Sequence, residues 1–407
     1  MIPCLPKKRK YQTNLVKGKR IPVSTGKKFC GGKDGKIEPG LPISELATPA
    51  ILVDLDMLEK NIQEAGDIAR KNKKEIWPMV KTHKSLEIAK MQSKAGASGY
   101  LCGTIDEAEM LIDKGGFKQI MLAYPVADKQ NLKRCINLIK KAELIFRVDS
   151  EETASLMNEA CKQVGKTTGY VIKIDAGLHR FGVEPKNAGK FARSLQRYKN
   201  LRLLGIATHS GLVYSAQNSK EVKKIALQGL ECLHIAYKDL RRFDYDLKMI
   251  TVGSTPSFQY DIKDDLVTHV HPGNYVYYDA MQVFLGTVSL ERCALTVLVT
   301  VTSRHKEQDS ASLNAGVKIF SRDTGGHEIK VVKGYGVVKE YPKAIFKGLS
   351  EEVGLLDVKG EPGMKVGEKI QIIPNHSCVV NNNTSYLIGH RGGVVERLIP
   401  VDARVGI

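Results

Sequence analysis

The chain has 407 residues, of which 42% are hydrophobic and 26% charged, the balance of a globular protein large enough for two cores rather than of a disordered or fibrous one. No apolar run approaches the ~20 residues of a membrane-spanning helix, so a helical membrane protein is not expected. The net charge of +18 is concentrated in residues 1–33, which hold ten Lys/Arg and no acid, leaving 52 Lys/Arg against 44 Asp/Glu elsewhere; with 6% aromatic residues, this argues against a nucleic-acid binder.

Residues 1–36 read as a basic, largely disordered tail: polar and poorly periodic, with Pro6–Lys10 composed like a nuclear-import patch and the acid-free residues 1–33 like a weak organelle-targeting segment. The eight cysteines are scattered with no C-x-x-C spacing, which suits reduced thiols and a cytoplasmic location. From residue 48 the pattern becomes regular. Candidate strands are Ala50–Val53, Ile76–Val80, Tyr100–Cys102, Gln119–Ala123, Leu144–Val148, Tyr170–Ile174, Leu203–Thr208 and Met249–Val252, and a helix-like segment follows each of the first seven. In the first of these segments Leu55, Leu58, Ile62, Ala65 and Ile68 form one apolar stripe, with Asp54 or Asp56 available as N-cap. Eight strands alternating with helices predict an α/β fold, a (β/α)8 TIM-like barrel over residues 48–270. The doubly wound alternative lacks its G-x-G-x-x-G opening.

Beyond about residue 265 the alternation stops. Short strand-like runs, Tyr275–Tyr278, Ala294–Val301, Lys318–Phe320, Glu328–Val332, Lys369–Ile373 and Ser385–Ile388, are divided by Gly-rich turns. They predict a second, all-β domain over 271–407, joined by residues 37–47.

Polar residues cluster where barrel strands end. Lys81 closes the expected second strand, where a lysine against apolar walls can act as nucleophile or Schiff-base partner. The sixth strand runs into Asp175-Ala-Gly-Leu-His-Arg180-Phe-Gly182, and the seventh into Thr208-His209-Ser210-Gly211, with Tyr214 beyond. The eighth ends in Gly253-Ser254-Thr255-Pro256-Ser257, a small-residue loop before a helical turn that could cradle phosphate. A lysine, an arginine, a histidine and a phosphate cradle on one face are the parts a bound pyridoxal phosphate needs.

These motifs resemble the fold-type III pyridoxal-phosphate enzymes, the alanine racemase-like family. Asp175–Gly182 looks like the family's D-x-G-x-x-R-x-G strand. Val80-Lys-Thr-His-Lys84, Thr48–Asp56, His271-Pro-Gly-Asn-Tyr275 and Ala315–Asp323 are closer to its D-serine dehydratase and D-threonine aldolase branch. The resemblance implies that Lys81 carries the cofactor and that Arg180 contacts the cofactor phenolate or the substrate. It places His209 against the pyridine ring and Tyr214 at the ring nitrogen or face, and assigns Ser254, Thr255, Gly273 and Asn274 to the phosphate side. It also implies a homodimer whose site forms between one chain's barrel and the other's β domain. The branch commonly has Arg-Pro-His before its lysine motif, where this chain has Trp77-Pro78-Met79.

One further motif, His376-Ser-Cys378, lies in a stretch read as extended, so both side chains should project from one face. An imidazole and a thiolate form half of a zinc site. The dehydratases carry H-x-C here for zinc; the aldolases typically carry H-x-D for a harder ion such as Mn2+ or Mg2+. The resemblance therefore implies a zinc-dependent D-serine dehydratase. A β-hydroxy D-amino acid would displace Lys81 from the cofactor, the freed amine would take the Cα proton, and zinc on His376 and Cys378 would assist loss of the β-hydroxyl. Aldol cleavage of D-threonine, dehydration of 3-hydroxyaspartate, and a non-catalytic pyridoxal-phosphate homeostasis protein remain as alternatives.

Overall fold

The computed structural model describes residues 37–323 and 332–404. The basic tail and residues 328–331 of the expected strand Glu328–Val332 lie outside the described residues. Among the described residues, no helix is long and apolar enough to cross a membrane.

Eight parallel strands form the barrel: Glu75–Ile76, Tyr100–Cys102, Gln119–Leu122, Glu143–Val148, Thr168–Lys173, Leu201–Ala207, Met249–Val252 and His269–Val270. The first and last pair with each other, and a parallel bridge between Met79 and Leu101 closes the ring. Most of these strands are buried along nearly their whole length, which is why the sequence shows continuous apolar runs. Ile145 and Val171 pack inside the barrel with Trp77, Leu101 and Met249, whereas Leu144, Phe146, Tyr170 and Ile172 face the helices. The helices start on side-chain caps. Asp54 accepts from Met57 N (3.1 Å) to open Leu55–Lys71, Ser150 opens Glu151–Gln163, and Asn218 opens Ser219–Arg241.

The structure corrects the expected first barrel strand. Ala50–Asp54 lies in a separate nine-stranded sheet, antiparallel to Leu295–His305 (Ala50 opposite Leu298) and parallel to Tyr386–Arg391 (Leu52 opposite Ile388). A short strand buried on both faces has the same apolar run in either sheet, so the run alone could not assign it. The barrel's eighth member is the two-residue His269–Val270, too short to leave a pattern. The strand that leads to Lys81 is therefore the first of the barrel, not the second.

The remaining strands of the large sheet are Ser310–Leu313, Gly336–Val338, Ile345–Leu349, Gly354–Asp357, Lys369–Pro374 and Val394–Pro400. Residues before the first strand join the edge of this sheet, with Pro42 bridged to Val394 and Gly40 N donating to Val395 O (2.8 Å). Two expected strands are helical turns instead. Tyr275–Tyr278 is replaced by the 3-10 turn Asn274–Val276, and Lys318–Phe320 by the single turn Val317–Phe320. The second turn inserts Phe320 edge-on against Phe346, with ring centroids 4.9 Å apart, a packing need that overrides strand propensity.

Candidate active site

A cavity of about 240 Å³ opens at the carboxyl ends of the barrel strands, between them and the segment that follows strand Lys369–Pro374. All ten residues singled out from the sequence line it: Lys81, Arg180, His209, Tyr214, Ser254, Thr255, Gly273, Asn274, His376 and Cys378. One chain supplies both the barrel ends and the His376–Cys378 segment, whereas the sequence resemblance implied that they come from different chains.

Lys81 sits in a 3-10 turn, Val80–Thr82, rather than at a strand end. The turn is held from several sides. The His83 ring meets Gln92 Oε1 (3.2 Å), the Asn381 amide donates to His83 O (3.0 Å), and Ala403 N donates to Lys84 O (3.0 Å). Lys84 adopts a left-handed φ of 49°.

The barrel side of the cavity is rich in basic side chains. Arg147 and Lys173 are buried among apolar strands. Burial pushes the Arg147 guanidinium down to about 10 and leaves its Nη2 without a hydrogen-bond partner. Burial, then the neighbouring Arg147 and Arg180 charges, hold the Lys173 amine well below its ordinary value. Arg180 lies at the exposed mouth, its guanidinium 5.7 Å and 5.6 Å from the Tyr124 and Phe181 ring centres.

Two imidazoles have their tautomers fixed by carbonyls. His209 Nδ1–H donates to Gly253 O (2.7 Å) and His271 Nδ1–H to Trp77 O (2.8 Å), leaving each Nε2 as an acceptor. Burial holds both rings well below the usual histidine value, helped at His209 by Lys173 and Lys81 and at His271 by Arg147, so both are neutral. His271 Nε2 has no hydrogen-bond partner.

The Ser254–Thr255 loop is a close-packed cradle. A methyl on Gly253 would come 2.6 Å from His271 N, so the backbone approach there requires glycine, and one on Gly273 would come 3.0 Å from Met79 Cβ, a tight fit. Gly273 N donates to Thr255 Oγ1 (3.2 Å), and the Tyr214 hydroxyl accepts from the Thr255 backbone N–H. The helix after this loop, Phe258–Asp261, is a single turn. Any anion affinity therefore rests on local N–H and hydroxyl donors rather than on a long helix dipole.

His376-Ser377-Cys378 is not extended. His376 is the N-cap of helix Ser377–Asn382, and the helical turn sets the imidazole and the sulfur near enough for each to shift the other's proton affinity. Helical geometry wins because the Asp279 carboxylate captures the first turn, accepting from Ser377 N (3.0 Å) and Ser377 Oγ (3.2 Å). The same carboxylate holds Asn274 Nδ2 (2.7 Å), tying the cradle to this turn. Burial would raise the Cys378 thiol, but His376 and Lys81 bring it below its ordinary value; Thr82 Oγ1 is 3.3 Å from the sulfur. Asp323 Oδ2 lies 2.6 Å from His376 Nδ1 and so fixes the ring's orientation. Among the described residues, no three His, Cys, Asp or Glu side chains converge as a ready ligand set.

Sequence reading missed Arg147, His271, Asp279 and Glu107. Arg147 interrupts an apolar run and Glu107 stands three residues after Thr104, the spacing of a helix cap; these are the sequence signals that could have found them.

The alanine racemase N-terminal domain family matches residues 53–280, and a serine dehydratase domain family matches residues 294–389. The chain is 28% identical over 365 residues to a D-serine dehydratase of Dictyostelium discoideum, covering 83% of this chain and 91% of that protein. It is 30% identical over 349 residues to a D-threo-3-hydroxyaspartate dehydratase of Delftia sp. (strain HT23), covering 82% and 91%. A solved structure of a D-threo-3-hydroxyaspartate dehydratase variant in its metal-free form superposes with a TM-score of 0.82 at 27% identity, covering 90% of this chain and 100% of that one.

Proposed function

Because the chain belongs to the fold-type III pyridoxal-phosphate enzymes, joining an alanine racemase N-terminal domain to a serine dehydratase domain, we propose that it is a lyase converting D-serine, or a closely related β-hydroxy D-amino acid, to a 2-keto acid and ammonia. The observation that carries this reading is that Lys81 and the His376–Cys378 pair line one cavity.

The residues present fit pyridoxal phosphate. Ser254, Thr255, Gly273 and Asn274 offer closely approached donors for its phosphate, with Tyr214 bound into the same loop. The unpartnered Arg147 Nη2 and the Lys173 amine line the same cavity, which suits an anionic guest. When bound, the cofactor supplies an electron sink for the bond broken at the substrate Cα.

Lys81 projects its amine into the cavity, where it would hold the cofactor and then, displaced by the substrate's amine, take the Cα proton. D-selectivity follows if Lys81 is the only base on its face. Arg180, at the mouth, is placed for the substrate carboxylate. The neutral His209 ring, anchored to Gly253 O, can pack on the cofactor without adding charge. His376 and Cys378 would hold Zn2+, a Lewis acid for the departing hydroxyl, with Asp323 orienting the imidazole. A homodimer is the assembly the family resemblance implies, which light scattering would measure.

A second reading, 3-hydroxyaspartate as substrate, is favoured by one observation: Arg147 and Arg180 both line the cavity, with the Lys173 amine beside them as a donor, more basic groups than a phosphate and one carboxylate require. The test is to incubate purified holoenzyme with D-serine, D-threonine and D-threo-3-hydroxyaspartate, with and without a chelator, and identify the products. Pyruvate from D-serine, lost on chelation and restored better by zinc than by magnesium or manganese, is expected. Aldehyde and glycine instead would identify an aldolase, and undiminished pyruvate after chelation would remove the metal role.

A further inference from the structure

Glu107 is fully buried beside the turn that carries Lys81, yet no step described above uses it. Its local setting is that of a helix cap. Thr104 Oγ1 accepts from Glu107 N (3.3 Å) at the start of helix Ile105–Glu109, and Glu107 Oε2 accepts from Gly103 N (2.6 Å). A cap explains one carboxylate oxygen. It does not explain the other: Oε1 is buried with no hydrogen-bond partner and lies 3.8 Å from Lys84 Nζ, itself almost fully buried. Desolvating both members of such a pair is costly, so a surface helix cap would not retain it for stability alone.

Gly103 separates this pair from the reacting lysine by very little. A methyl there would lie 3.4 Å from Lys81 Cβ and 3.6 and 3.7 Å from the two Glu107 oxygens. The titratable groups facing Glu107 are Lys84 and Lys81, with the Cys102 thiol adjacent; those facing Lys81 from other elements are Cys378 and the neutral His209. Glu107 is thus the one carboxylate among these neighbours.

We propose that Glu107 is a positioning residue for Lys81: anchored on Gly103 N–H, its carboxylate holds Lys84 and thereby fixes the left-handed turn from which Lys81 projects, while setting a negative charge beneath the reacting amine. Lys84 is the mechanical link, because its backbone at φ 49° ends the Lys81 turn and its side chain reaches Glu107. The inference rests on the reading of Lys81 as the cofactor lysine.

The test uses full-length holoenzyme and three variants: Glu107→Gln, Lys84→Met and the double. Glu107→Gln keeps an oxygen for Gly103 N–H and removes the charge. Its kcat on the best of the three substrates should fall roughly tenfold with KM little changed, and the visible circular dichroism of the bound cofactor should change while far-ultraviolet dichroism does not. Lys84→Met should do the same, and the double variant should be no worse than either single one. Wild-type kcat and visible dichroism in Glu107→Gln, even with a lower melting temperature, would reduce Glu107 to a helix cap and overturn the proposal; so would additive losses in the double variant. If Glu107→Gln does not fold, Lys84→Met decides by the same two readouts. Lys81→Ala is the separate control: if it keeps the visible absorption band, the cofactor reading itself fails, whatever Glu107 does.

Discussion

Asp261 is a fully buried carboxyl at the base of the Ser254–Thr255 loop, joined to it through a relay: Ser257 Oγ donates to Asp261 Oδ2 (2.5 Å) and lies 2.8 Å from Ser254 Oγ. Burial pushes Asp261 up to about 8; Ser257 opposes the shift and Asp264 adds to it. An unfolded aspartate titrates near 3.9. Between those values the native state binds a proton that the unfolded chain lacks, so this group's stabilisation is complete below about pH 4 and declines as pH rises towards 8. Asp261→Asn should therefore flatten the fall in melting temperature between pH 5 and pH 8 relative to wild type. Parallel melting curves for the two proteins would show that Asp261 is ionised throughout. At this scale the sequence was informative where residue type alone points to chemistry, as with Lys81, His376 and Cys378. It was silent on Asp279 and Arg147, whose importance comes from burial and from partners nearly a hundred residues away or on other strands.

The helix Leu86–Lys94 directly follows the Lys81 turn, and its own N-cap residue, Ser85, makes no side-chain cap. The cap comes from the far end of the chain: Leu86 N donates to Asp402 Oδ2 (2.9 Å), next to the Ala403 N to Lys84 O bond. Removing an N-cap acceptor costs about 1 kcal/mol, so Asp402→Ala should lower the unfolding midpoint by about that free energy, and Asp402→Asn by much less, because the amide oxygen still accepts. Equal losses in both variants would point to charge rather than to the hydrogen bond. Long-range caps of this kind leave no local signal, which is one reason element boundaries were less legible than element types. The barrel strands could be read because burial on both faces forces long apolar runs. Ala50–Asp54 was assigned to the wrong sheet for the same reason, since its pairing with Leu295–His305 joins segments over two hundred residues apart. The helical turn at His376–Cys378 was missed because the Asp279 carboxylate that organises it is distant in sequence.

On the scale of the whole molecule, the charge is divided unevenly between the tail and the rest. Residues 1–33 contribute ten positive charges and no negative ones, so the chain without them falls from +18 to +8. Their sequence offers neither a helical nor an alternating apolar stripe, hence no face with which to complete a core. Deleting residues 1–33 should therefore leave turnover and melting temperature close to those of the full chain. The truncated protein should elute at clearly lower salt from a cation-exchange column, because screening acts on the charge that has been removed. A severalfold loss of kcat, or a melting temperature lower by more than a few degrees, would mean that the tail contributes contacts to the fold or to the cavity, and that its composition was misread as that of a solvated segment.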